Sequence, residues 1–130
     1  MIKGLRIATI VWAVGGILFG LLYVISPEKT VSSAGYETGS IAIPYFLTYL
    51  GVAYLAFCVF LIVAAMDPLK NILWIQLAMV WSFLDVLVAL YFYLRGDVSL
   101  SQAAWAFITD GIPFVAMLAF YPWRKAPAAK

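Results

Sequence analysis

Four long apolar runs separated by short polar breaks make up most of this sequence. The first, Ile7 to Ile25, follows Lys3 and Arg6 and stops at Ser26-Pro27. The second starts near Pro44 and ends at Met66, just before Asp67-Pro68. The third and fourth are joined by the polar turn Arg95-Gly96-Asp97-Val98. Each run is as long as the roughly 20 apolar residues that an α-helix needs to cross a bilayer. The pattern therefore predicts helices over about residues 5–25, 44–66, 69–95 and 100–122, with an extracytoplasmic loop over about 27–43. A signal peptide is the competing reading of the first run. Its apolar stretch is longer than a usual signal core, and no small-x-small cleavage site follows directly, so a retained transmembrane helix is expected.

Local signals support these boundaries. Pro44 suits the first turn of a helix, as Pro68 does for the third run with Asp67 as its cap. Gly96 is a natural C-terminal cap. Ser99 followed by Gln102 fits a capping box for the fourth helix. The loop segment EKTVSSAGYETGS is rich in Ser, Thr and Gly and reads as irregular, with room for a short surface helix. Pro113 removes an amide donor inside the fourth run and predicts a kink there, and Pro122 ends that run.

Small residues fall in helical stripes. Thr9, Ala13, Gly16 and Gly20 share one face of the first helix, and Ala78, Ser82, Asp85 and Ala89 share one face of the third. Small residues let helix backbones approach closely in lipid, so Ala13, Gly16, Gly20, Ala78 and Ala89 are the expected packing positions. Packing inside the bundle is the simpler use of the GxxxG pair, with self-association as the alternative. In the second helix Tyr49, Ala53, Ala56, Phe60 and Ala64 form a mixed stripe expected to face neighbours.

Composition agrees with the pattern. Of 130 residues, 66% are hydrophobic and 11% charged, too apolar for the water-facing shell of a soluble domain. The expected fold is all-α: one integral membrane four-helix bundle over residues 1–130, up-down-up-down. Lys3, Arg6, Lys70, Arg124, Lys125 and Lys130 fall on one side of this topology, and only Lys29 and Arg95 on the other. The positive-inside bias then makes both termini cytoplasmic, in what is expected to be a bacterial inner membrane. Tyr23, Tyr45, Tyr91, Tyr93 and Trp105 mark the outer interface, and Trp74, Tyr121 and Trp123 the inner one. The net charge of +2 is too small and too local to the ends to suggest nucleic acid.

Candidate chemistry is sparse. Without histidine the usual ligands of haem, copper and catalytic zinc are missing, and Cys58 is alone, so no metal site or cofactor is expected. No phosphate loop, HExxH or nucleophile-base pair occurs, so no catalytic residue is expected. The aromatics leave bound lipid, quinone or carotenoid open. What remains is a pair of acids, Asp85 and Asp110, equally far in sequence from the turn at Asp97-Val98. A hairpin puts them at one depth near the membrane midplane, where an acid costs about 2.5 kcal/mol or more and suggests function. With no buried cation beside them, both cannot be charged cheaply, so at least one is expected to hold a proton. Ser82, Thr109, Tyr54 and Thr48 are candidate hydrogen-bond partners. The pair reads as interhelical glue, as a proton or cation site, or as a contact with a partner.

The segment LAMVWSFLDVLVALYFYLRGDVSLSQAAWAFITD and the closing AFYPW resemble small bacterial four-helix membrane proteins of the DoxX-like and BphX-like kind. The resemblance implies a small bundle and, for some DoxX-like proteins, a membrane subunit of an oxidoreductase whose redox chemistry sits on a partner. The expected function is a non-enzymatic accessory subunit of a larger membrane complex, partnered by lipid and by other subunits or further copies of itself. The alternatives are a small proton- or cation-coupled transporter that uses the two acids, and a quinone, lipid or pigment binder.

Overall fold

The computed structural model describes residues 1–35 and 42–123. These form helices α1 (Ile2–Ile25), α2 (Pro27–Ser33), α3 (Ala42–Met66) and α4 (Ile72–Arg95). A fourth long segment then runs through α5 (Leu100–Ala106), a π-helical turn (Phe107–Gly111) and α6 (Ile112–Phe120). No strand occurs among the described residues. Four segments, Ile2–Ile25, Ile43–Met66, Ile72–Arg95 and Leu100–Phe120, are long and apolar enough to cross a membrane. Large apolar side chains such as Leu18, Val52, Val63, Leu73 and Leu94 point outward. Such a surface is unfavourable in water and natural in hydrocarbon.

The helices close a ring. α1 packs most extensively on α3 and also on the fourth segment, while α4 touches both α3 and the fourth segment. Partner numbers fall as each helix is followed forward. Along α1 and α3, Gly16 meets Cys58 and Tyr54, Gly20 meets Gly51 and Leu55, and Tyr23 meets Thr48. Between α3 and α4, Phe57 stacks on Trp81 and Phe60 on Trp74, with centroids 5.2 and 5.5 Å apart. Between α4 and α6, Phe83 packs on Phe114, and the Gln76 amide donates to Tyr121 Oη.

The tightest seam is α1 against α3. Thr9, Ala13, Gly16 and Gly20 are all buried. An added Cβ on Gly51 would stand 3.0 Å from the Gly20 carbonyl oxygen, and one on Gly20 would stand 3.2 Å from the Gly51 oxygen. The two backbones therefore meet with no side chain between them. This contact suits lipid, where dispersion and close fit rather than the hydrophobic effect join helices.

The helix ends follow local chemistry. Gly96 takes φ +80°, its amide donates to Tyr93 O and the Asp97 amide to Phe92 O, which is a Schellman close. Ser99 and Gln102 form the reciprocal capping box, and Gln102 Nε2 also donates to Gly35 O, tying the fourth segment to the turn after α2. Pro27 begins α2, which buries Val31. α6 stops at Phe120 because Tyr121, which precedes Pro122, is extended (ψ 134°).

One cap differs from expectation. Asp67 and Pro68 do not start α4, which begins at Ile72 with Asn71 before it. Asp67 Oδ1 accepts the Lys70 amide at 3.3 Å and Asp67 O accepts the Asn71 amide at 3.1 Å. The carboxylate is used to close the turn, so it is not available to cap the helix. The expected irregularity of 36–41 and the basic tail 124–130 lie outside the described residues.

Gly20→Val and Gly51→Val should each cost about 1–3 kcal/mol, because the added methyls cannot be accommodated by backbone. Gly15→Ala, where an added Cβ meets nothing within 4 Å, should leave stability unchanged or slightly raised. Thermal unfolding of the three variants in one detergent checks the contrast.

Candidate functional site

Asp110 is 8% exposed and sits in the π turn just before Pro113. Proline lacks the N–H that would pair with the Thr109 carbonyl in an α-helix. The chain meets this defect with one wide turn ahead of the proline, a feature that often marks functional sites. The kink position read from Pro113 is thus a change of helical register that holds the acid.

Two side chains reach the carboxyl. Trp12 Nε1, from α1, donates to Asp110 Oδ1 at 3.3 Å. Thr109 Oγ1 lies 2.9 Å from Asp110 Oδ2 and 2.8 Å from the Trp105 carbonyl oxygen. The Trp12 bond is the direct polar link between the first and last membrane-length segments. Gly111, the next residue, leaves Val86 of α4 at ordinary contact distance, 3.6 Å from where its Cβ would be.

Asp85 is half-buried on α4, with the Trp81 indole one turn earlier beside its carboxyl. Asp85 and Asp110 lie within electrostatic reach of one another, and no hydrogen bond joins them. Aromatic rings fill the space between. Trp12 stands edge-on to Tyr54 and Phe57, and both rings pack on Trp81. A continuous aromatic bridge thus runs from the indole that bonds Asp110 to the indole beside Asp85.

The other candidates divide. Thr109 joins the site, and Tyr54 joins it through its ring. Ser82 is fully buried on α4, and its Oγ has no hydrogen-bond partner among the described residues. Thr48 lies elsewhere, bonded to Pro44 O and Tyr23 O near the opposite end of α1 from Lys3. Of the packing positions, Ala13 and Ala78 are buried and Ala89 is half-buried.

Trp12, Trp81 and Gly51 were not legible as site or packing residues. A search for cations to pair with the acids passes over indole N–H groups. A buried tryptophan must find an acceptor, and Trp12 lies on the buried small-residue face of α1, so helix position and donor chemistry together were the available signal.

Two surface grooves lie between helices. One, about 330 Å³, is apolar and includes Gly4, Val11, Pro113 and Phe120. The other, about 520 Å³, runs between Met79, Phe83 and Phe114 to a polar end at Gln76, Tyr121 and Trp123. Neither is lined by Asp85 or Asp110. Among the described residues no group of His, Cys, Asp and Glu is arranged to hold a metal ion. No protein-family model, curated protein or solved structure matches the chain.

Asp110→Ala should destabilise the bundle by more than Asp85→Ala. The first leaves the buried Trp12 N–H without its acceptor, a loss of about 1–3 kcal/mol, whereas Asp85 bonds no other helix. Unfolding midpoints of the two variants in the same detergent check the order.

Proposed function

We propose that this chain is a non-enzymatic accessory subunit of a larger membrane complex. It is an up-down-up-down bundle with both termini on the cytoplasmic side of a bacterial inner membrane. The opposite sequence order of contacts between neighbouring helices supports the topology. Lys3, Arg6 and Lys70 gather at the end where Gly4 meets Phe120, and Lys29 and Arg95 at the other, which supports the orientation. The resemblance to DoxX-like and BphX-like proteins belongs to the same reading.

The observation that carries the proposal is the outward face of α3. Tyr49 (66% exposed) and Phe60 (56%) flank Ala53 and Ala56, which are also exposed, while Ala64 alone of that stripe is buried. Of the stripe expected to face neighbours, Tyr49, Ala53 and Ala56 thus point away from this bundle, while Phe60 also stacks on Trp74 of α4. Lipid chains fill around large side chains as readily as small ones, but a second helix gains close approach from small residues between aromatics. Trp12, Thr109 and Asp110 use their polar atoms for bonds inside the bundle, which fits a scaffold better than a catalyst.

A second reading is favoured by the groove between α4 and α6. Its apolar walls and its polar end at Gln76, Tyr121 and Trp123 are the form of a site for a lipid or quinone. Such a ligand is compatible with an accessory role.

Native mass spectrometry of the protein extracted gently from its own membrane should find it bound in fixed ratio to other chains. Ala56→Leu should weaken that association at least several-fold while leaving the unfolding midpoint of the isolated bundle unchanged. A chain that leaves the membrane alone, or an association indifferent to Ala56→Leu, contradicts the proposal.

A further inference from the structure

The donors and acceptors around Asp110 can be counted, and the count bears on the state of the acid independently of the accessory-subunit reading. Thr109 Oγ1 has two oxygen neighbours, Trp105 O at 2.8 Å and Asp110 Oδ2 at 2.9 Å. A hydroxyl carries one proton and can donate to only one of them at full strength. The Trp105 carbonyl has no proton to give. If Thr109 donates to the carboxylate, two lone-pair-bearing oxygens face each other at 2.8 Å with nothing between. If it donates to the carbonyl, the same is true of the contact with Asp110 unless the carboxyl supplies the second proton.

We propose that Asp110 is a proton-holding site: a neutral acid whose Oδ2–H donates to Thr109 Oγ1. Thr109 in turn donates to Trp105 O, and Asp110 Oδ1, the carbonyl oxygen of the acid, accepts the Trp12 indole N–H. Every polar atom of the cluster is then satisfied once, with donor matched to acceptor along the chain Asp110, Thr109, Trp105.

The surroundings agree. Among the described residues every Lys and Arg lies near the ends of the membrane-length segments or in the polar breaks, and the ion pair there is Arg95–Asp97 at the surface. The ionisable groups on which the charge of Asp110 acts are Tyr54 and Cys58 on α3, Asp85 on α4 and Tyr23 on α1. None of them is positive in any protonation state. A carboxylate here would therefore be buried without a counter-ion. The π turn and Pro113 hold the acid at the depth where this matters most.

Infrared spectroscopy of the purified protein at neutral pH tests the assignment directly. The wild type should show the carbonyl stretch of a protonated carboxylic acid. The band should vanish in Asp110→Asn and persist in Asp85→Asn. It should move to higher frequency in Trp12→Phe, which removes the donor to the acid's carbonyl oxygen, and shift again in Thr109→Val, which removes the acceptor of its proton. Absence of the band in the wild type overturns the proposal, and so does its loss in Asp85→Asn, which would put the proton on the other acid. Should Asp110→Asn fail to fold, the wild-type, Asp85→Asn and Trp12→Phe spectra decide alone.

Discussion

The hydrogen bond from Trp12 to Asp110 joins the ends of the chain across the membrane-length bundle. Its importance comes from the solvent. Between two helices in hydrocarbon there is no hydrophobic driving force, because lipid is as apolar as leucine, so assembly rests on close fit and on polar groups with no other partner. The indole N–H of Trp12 and the Oδ1 of Asp110 are such groups, on residues 3% and 8% exposed. Helix α1 thereby holds both neighbours, α3 through the bare backbone contact of Gly20 with Gly51 and the fourth segment through Trp12. Helix α4 completes the ring with ring stacking, Phe57 on Trp81, Phe60 on Trp74 and Phe83 beside Phe114.

The same bond explains why the two acids are unlike. Asp110 is drawn inward by a partner on another helix and fixed by a π turn that Pro113 makes favourable. Asp85 has a tryptophan of its own helix beside it and remains half-buried. The rings of Tyr54 and Phe57 stand between the two indoles, so electrostatic reach replaces contact. A bundle arranged this way places the Trp12–Asp110 pair in a joint between helices.

Much of the architecture was legible because it follows from length, period and caps. Four apolar runs became four membrane-length segments, and Gly96 and the Ser99–Gln102 pair ended and began helices as their chemistry requires. Asp67 was misread because one carboxylate can close a turn or cap a helix, and only the geometry of residues 67–71 decides between them. The acids themselves stood out by cost. Of their partners Thr109 was legible and Trp12 was not, since rotation of each helix, invisible in a one-dimensional pattern, chose Trp12 rather than Tyr54 or Thr48. The π turn was hidden for a similar reason: proline signals a broken bond without saying which register repairs it. Gly51 was overlooked because a single glycine gains meaning only beside the glycine it meets.

The most direct measurement is a double-mutant cycle on Trp12→Phe and Asp110→Ala, the second of which removes the acceptor that Asn would keep, read from reversible unfolding in a single detergent or bicelle. If their bond joins the first and last membrane-length segments, the two losses should be less than additive, with a coupling of about 0.6–1.7 kcal/mol, the range of interhelical hydrogen bonds in membranes. Strictly additive losses would mean that the indole and the acid do not act on one another, and the joint at the centre of this structure would be refuted.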